Sequence, residues 1–268
     1  MKTGRADAAA HRPRHGKKAR TVMQNIYRFA DHTIEIESLY PLVHELCAAY
    51  QTEESGAEYS VRITEEDILS ERASLEAAWR QSGYDPRRFS ARYLETLAVY
   101  RKIAEALLPC DILLMHGSVV AVDGRAYLFT AKSGTGKTTH YLHWKALWDR
   151  EVEILCGDKP ILAFDGPEIT VHPSPWNGKE AMGQLRSGPL GGIVVLRQSG
   201  TDRIRRLSRR EAVWPLFPQF LFRRATVAQV QAVGRMEEQL LGQVPVWLLE
   251  NRVGGASALL CRNALLEV

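Results

Sequence analysis

Apolar and polar residues alternate loosely from Asn25 to Tyr40, with Ile26, Phe29, Ile34, Ile36 and Leu39 among the apolar positions. Alternation turns successive side chains to opposite faces, so this stretch predicts half-buried strands. From Pro41 to Tyr50 the period lengthens, and Leu42, Val43, Leu46 and Ala49 gather on one side of a helix. A short strand is predicted over Tyr59 to Ile63. Thr64-Glu65-Glu66-Asp67 then has the form of a helix start, and that helix should run to about Gln81 and stop near Gly83. After Ser90, the residues Tyr93, Leu97, Tyr100, Ala104 and Leu107 fall on one helical face, with Pro109 as terminator.

The second half changes rhythm. Ile112 to Met115, Val119 to Val122 and Ala126 to Thr130 read as strands, the last two joined by Asp123-Gly124, the signal of a tight hairpin. Asp165-Gly166 likewise divides Ile161–Phe164 from Ile169–His172. Further strands are predicted over Gly192 to Leu196 and Val244 to Leu249. Between them, Thr226 to Leu241 forms an amphipathic helix with Val227, Val230, Val233, Met236 and Leu240 on its apolar side. Hairpins interleaved with helices imply an α+β or mixed α/β fold with a mixed, partly antiparallel sheet. The expected organisation is a disordered basic arm over 1–21, a small α+β module over 22–88 and a phosphate-binding-loop (P-loop) domain over 89–268.

The densest chemistry lies at Ala131-Lys132-Ser133-Gly134-Thr135-Gly136-Lys137-Thr138-Thr139. It matches the pattern G-x-x-x-x-G-K-[ST] except that Ala131 replaces the first glycine. Gly134 and Gly136 let the backbone curl so that N–H groups converge on phosphate oxygens. Lys137 would reach the outer phosphates, Thr138 would sit on a metal ion, and a helix starting at Thr138 would point its positive end at the anion. Ser133, Thr135 and Thr139 complete the expected nucleotide contacts. A strand before the loop and a helix after it supply the context such a motif needs. The alternative is a glycine-rich turn with an incidental lysine.

Phosphoryl transfer to a hydroxyl also needs a carboxylate, to take the proton or to organise a metal. Asp158 is the candidate, ending a strand within the stretch Glu151–Pro160. His116, at the end of the Ile112–Met115 strand, could polarise a phosphate or shuttle a proton; bonding to a backbone carbonyl is its bland alternative. Trp176-Asn177-Gly178-Lys179-Glu180 is expected to expose an aromatic, a cation and an acid, with Lys179 meeting phosphate and Glu180 assisting a metal. A plain surface turn is the alternative. Arg203, Arg205, Arg206, Arg209 and Arg210 straddle a capping box at Ser208–Glu211 and read as a solvated basic face, with a phosphate or peptide clamp as the alternative.

Composition bounds these readings. The chain has 268 residues, 45% hydrophobic and 25% charged, ordinary for a globular protein with a substantial core. Residues 1–20 hold seven Lys or Arg against one acid, +6 of a formal +4, so the remainder carries −2. A near-neutral body argues against nucleic acid as the main substrate. No apolar run approaches the ~20 residues of a membrane span, and no secretory signal is visible, so a cytoplasmic chain without a membrane partner is expected. Cys47, Cys110, Cys156 and Cys261 include no C-x-x-C pair, which excludes a cysteine zinc site and points to reduced, mostly buried thiols.

The His116-Gly117 hairpin leading into Ser133–Thr138, followed by a strand ending in Gly157-Asp158-Lys159-Pro160, resembles the HPr kinase/phosphorylase superfamily. Its relatives share a fold with the ATP-dependent phosphoenolpyruvate carboxykinases. Pro175-Trp176-Asn177-Gly178-Lys179 is similar to a branch of HPr-kinase-like proteins, some of which are lasso-peptide kinases acting on a precursor serine. The resemblance covers roughly residues 90–268. It implies a fold like the C-terminal domain of HPr kinase, with Lys137 as phosphate-binding lysine, Thr138 as metal-binding hydroxyl, Asp158 as general base and His116 as active-site histidine. Where the HPr kinases carry an Asp-Asp pair, this chain has Gly157-Asp158, and their segment with a metal-binding glutamate is not found. HPr as acceptor and the reverse reaction are therefore not carried over. The expected activity uses ATP and Mg²⁺ to phosphorylate a serine of a peptide or small protein. A non-catalytic ATP-sensing module and a kinase of free serine or a related metabolite stay open, as does a homo-oligomer.

Overall fold

The computed structural model describes residues 22–81, 89–222, 226–252 and 254–266. The basic arm and the helix stop near Gly83 lie outside these. Strands β1 (Met23–Phe29) and β2 (His32–Ser38) form an antiparallel hairpin with Phe29 opposite His32. Ala30 and Asp31 both turn left-handed, with φ of 46° and 67°, as a two-residue hairpin loop demands. The alternation read from sequence buries Tyr27, Phe29, Ile34 and Ile36. Helix α1 (Leu42–Cys47) follows, and β3 (Tyr59–Arg62) joins β2 in parallel. Helix α2 (Glu65–Gln81) begins where the Asp67 N–H donates to Thr64 Oγ1 at 3.3 Å and the Thr64 N–H to Asp67 Oδ2 at 2.8 Å.

Helix α3 (Ala91–Leu107) starts at Ser90, whose side chain accepts from the Tyr93 N–H. Its buried face is rotated from the one expected. Tyr93 is exposed and Leu97 half-buried, while Leu94, Val99, Ile103 and Leu107 are fully buried beside Tyr100 and Ala104. The helix carries two overlapping apolar stripes, and its neighbours chose the one facing the small sheet. Glu95 is also fully buried, because its carboxylate accepts the Leu39 and Tyr40 N–H groups.

The chain then runs β4 (Ile112–Met115), β5 (Ser118–Val122), β6 (Arg125–Thr130), α4 (Lys137–Leu147), β7 (Glu153–Cys156), β8 (Ile161–Ala163), β9 (Thr170–His172) and β10 (Gly188–Gln198). It closes with β11 (Arg203–Arg206), α5 (Arg209–Leu216), β12 (Phe220–Leu221), α6 (Val227–Gln243), β13 (Val246–Asn251) and α7 (Gly255–Leu266). Ten strands pair in the order β12-β4-β8-β9-β10-β6-β5-β7, with β13 beside β10 and β11 beside β13. The pairs β6–β10 and β10–β13 are parallel and the other pairs antiparallel, so the fold is mixed α/β with a mixed sheet. Both Asp-Gly hairpins form where expected.

Helices cover the sheet on both faces. Tyr141 and Trp144 of α4, with Ala258, Cys261 and Leu265 of α7, pack on Phe129, Val194 and Leu249. On the other face, Ala212, Leu216, Val233, Met236 and Leu240 of α5 and α6 meet Leu128, Val195 and Leu248. Val227 and Val230, expected inside, are exposed, since the first turn of α6 overhangs the sheet. The small sheet, α1 and α3 close a third cluster with Ile112, Leu114, Ile161 and Trp176. Each fully buried aliphatic side chain contributes about 1.5–3 kcal/mol, so these clusters outweigh local propensity. Cys47, Cys156 and Cys261 are buried and Cys110 half-buried, all as free thiols. No helix among the described residues is long and apolar enough to cross a membrane.

Candidate functional site

Strand β6 runs into the glycine loop, and α4 starts at its far side with Gly136 as N-cap. Gly134 and Gly136 have φ of 81° and 106° with open space where a Cβ would stand, so backbone conformation and not crowding requires glycine. No side chain caps the helix, so its first N–H groups have no intrahelical acceptor. The helix begins at Lys137, one residue before the expected Thr138. Lys137 is buried, and its Nζ donates to the Ala131 carbonyl at 3.0 Å. Burial pulls its pKa down to about 8, the Asp158 charge opposes this, and Lys159 reinforces it.

Asp158 follows β7 through Gly157. The Gly157 N–H donates to Asn177 Oδ1 at 2.9 Å, and a Cβ at Gly157 would collide with the Asn177 carbonyl. The missing first carboxylate thus has a steric cause: the main chain at Asn177 fills the space its side chain would need. The Asp158 carbonyl accepts the Gly117 N–H at 2.8 Å, and Ser118 Oγ donates to the Gly157 carbonyl at 2.7 Å. These bonds tie the end of β7 to the β4–β5 turn and bring His116 to the acid.

His116 Nε2 lies 3.5 Å from Asp158 Oδ1, and its Nδ1 faces Gln219 Oε1 at 3.2 Å. Burial first, then the Lys137 charge, lowers the His116 pKa, with Asp158 opposing. Asp158 Oδ2 is in contact with Lys159 Nζ, a residue to which the sequence reading gave no role. Its only sequence signal was adjacency to the acid.

Trp176 corrects the expectation of an exposed aromatic. It is buried, donates from Nε1 to the Thr96 carbonyl at 3.1 Å, and packs on Tyr100 with ring centroids 5.0 Å apart. Lys179 is exposed. Gly178 brings that segment back to the acid, since a Cβ there would lie 3.5 Å from Asp158 Cβ and 4.0 Å from Glu180 Oε2. Ser133 and Thr139 are exposed, Thr135 and Thr138 half-buried. The Arg203–Arg210 run is exposed, with Arg205 bonded to Glu211 at 2.9 Å. No group of three His, Cys, Asp or Glu side chains poised for a metal occurs among the described residues.

The arrangement therefore joins an open, positively polarised loop, a buried lysine, a histidine and one carboxylate at adjoining strand ends. No family model matches the chain, and no curated protein matches it in sequence. Among solved structures, it is similar to the HPr(Ser) kinase/phosphatase from Coxiella burnetii, at 14% identity and a TM-score of 0.34. That likeness covers 57% of this chain and 91% of the other. At this level it leaves function to be argued from the site.

Proposed function

We propose that the protein is an ATP- and Mg²⁺-dependent kinase that phosphorylates a serine hydroxyl of a peptide or small protein. The observation that carries this reading is the meeting of Lys137, Asp158 and His116 beside a loop whose Gly134 and Gly136 take left-handed conformations before the uncapped start of α4. The loop and the first N–H groups of α4 would bind the phosphates, and Lys137 would move its ammonium from the Ala131 carbonyl to the outer phosphate oxygens. Asp158 would accept the serine proton as the serine oxygen bonds to the γ-phosphorus and the bond to the ADP oxygen breaks. His116 would steady the transferring group.

Thr138 and Asp158 would hold Mg²⁺, which supplies charge neutralisation on the phosphates when bound. The fit is chemically reasonable, because Mg²⁺ is usually held by one or two carboxylates together with substrate phosphates and not by an all-protein cage. The resemblance of the Pro175–Lys179 segment to the lasso-peptide branch favours a precursor peptide as the acceptor class in this reading. Incubating the protein with γ-labelled ATP, Mg²⁺ and serine-containing peptides tests this, and nucleotide binding without any transfer would overturn it.

The contact of Lys159 with Asp158 favours a second reading, a nucleotide sensor in which the carboxylate is occupied. It predicts ATP binding and an ATP-dependent change in partner affinity with no acceptor phosphorylated. Including free serine in the screen separates a metabolite kinase from a peptide kinase.

A further inference from the structure

The seam between α2 and α3 departs from the usual packing of two helices. Asp67, Ser70, Glu71 and Ser74 recur at the spacing of one face on α2, and Ala98, Arg101, Lys102 and Glu105 do so on α3. Helix faces that meet normally bury apolar side chains. Here both are mostly polar, and they line a cavity of about 260 Å³ together with Leu221 and Phe222. One water needs only ~10–15 Å³, so the space admits a small organic group. None of its lining residues belongs to the phosphate loop or to the groups at Asp158.

The ion pairs across this seam leave a remainder. Lys102 Nζ donates to Asp67 Oδ2 at 2.8 Å and to the Arg62 carbonyl at 2.7 Å. Arg101 Nε contacts Glu71 Oε1. Both cations are thereby engaged, whereas three carboxylates line the space. Glu105, half-buried one turn past Arg101, pairs with neither cation. Glu71 is the sharper case. Its side chain is 8% exposed, and its Oε2 is buried without a hydrogen-bond partner.

A buried carboxylate oxygen with no donor costs more than a neutral orphan, and glutamine would fill the same space without the charge. The Arg101 contact answers one oxygen of Glu71 and leaves the other. What is missing is a donor, and the excess of carboxylates makes it a cation. The same count argues against an anion, because Arg101 and Lys102 already have carboxylate partners. Leu221 and Phe222 offer apolar surface to a hydrocarbon stem, and the hydroxyls of Ser70 and Ser74 can accept further N–H groups.

We infer that the cavity between α2 and α3 binds an organic cation, a guanidinium or ammonium group on an aliphatic stem, which donates to Glu71 Oε2 and is balanced by Glu105. A free alkyl cation and an arginine or lysine side chain of a partner peptide present this same chemistry. The site is independent of the nucleotide reading and stands or falls without it.

Titration calorimetry on the full chain, without nucleotide, tests this with n-propylguanidinium as probe and n-propylurea as its neutral match. The cation should bind with a Kd of about 1 mM or tighter, and the urea about tenfold or more weakly. Glu71→Gln should weaken the cation about tenfold or more, and Glu105→Gln about threefold. Glu71→Gln also touches the Arg101 pair, so Ser74→Phe is the second variant. It adds bulk to the cavity from an exposed position and should abolish binding with an unchanged circular dichroism spectrum. Acetyl-Gly-Arg-Gly-amide separates the sources: binding equal to the probe assigns a peptide side chain, and its exclusion with the probe still bound assigns a free cation. Equal binding of cation and urea, no binding of the cation at ~10 mM, or wild-type affinity in either Glu71→Gln or Ser74→Phe would overturn the inference.

Discussion

Charge is handled differently on the small N-terminal sheet and at the strand ends of the large one. On the small sheet, cations and anions pair at the surface: Arg62 with Glu37 at 2.9 Å, and Arg28 with Glu54. Each pair nearly cancels its own field in a largely solvated setting and contributes about 0.2–1 kcal/mol. At the large sheet, the half-buried carboxylate of Asp158 contacts Lys159 and acts on the buried Lys137, with the exposed Glu180 nearby. Lys137, Lys159 and Asp158 are buried or half-buried, so the excess of two lysines over one carboxylate among them is weakly screened. Balanced exposed pairs decorate a surface, whereas an unbalanced buried cluster is suited to receive an anion.

The strongest way to break that contrast is to remove its half-buried anion. Asp158→Asn keeps size but cannot take a proton, so the transfer rate should fall about 10²–10⁴-fold. ATP affinity should fall far less if Asp158 is the base. If it mainly holds Mg²⁺, affinity and metal dependence should shift as much as the rate. Titrating Mg²⁺ against rate and ATP binding on the same variant decides, and wild-type turnover would remove both roles.

Removing a cation comes next. Lys137→Ala should cost about 10²–10³-fold in rate, the scale of one preorganised charge at a developing anion, and should weaken ATP binding. The fold should survive in thermal melts. Retained activity would show that the loop binds something other than the transferring phosphate.

A smaller effect follows from pH. With the Lys137 pKa near 8 in the empty site, ATP affinity should fall as pH rises above that value, by up to about tenfold per unit. Calorimetry at pH 7 and 9 should also detect proton uptake on binding at the higher pH. The sign for the empty fold is opposite. Its lysine pKa is depressed below 10.5, so between about 8 and 10.5 the unfolded chain holds the extra proton and stability rises with pH. A pH-independent Kd would place the ammonium away from the phosphates.

The smallest expected effect sharpens the other side of the comparison. Arg62→Ala removes a pair whose arginine is 70% exposed, and should shift stability by less than about 1 kcal/mol with unchanged phosphoryl transfer. A large loss of transfer would mean that the small sheet takes part in the chemistry.

What was legible in the sequence follows the range of the interactions. The loop, its flanking strand and helix, the Asp123-Gly124 and Asp165-Gly166 hairpins and the caps at Thr64, Ser90, Ser208 and Thr226 are settled by residues a few positions apart. Periodicity found most elements but misjudged α3 and the start of α6. An apolar stripe records that a face is buried, and neighbours decide which of two stripes it is. The helix Gly255–Leu266 went unread, because its residues lack a clean polar side.

The amino-acid sequence by itself determined the phosphate-loop pattern, the strand–loop–helix order and the candidacy of Lys137, His116 and Asp158. Tertiary structure alone decided that Gln219, 103 residues along the chain, would meet His116, and that Lys159 would contact the acid. It also buried Trp176 against Tyr100 and set the Asn177 carbonyl where a side chain at position 157 would stand. The physical reason is the same throughout. Turns, caps and glycine conformations are fixed by local sterics and hydrogen bonds, whereas which strand ends converge depends on burial summed over the whole sheet.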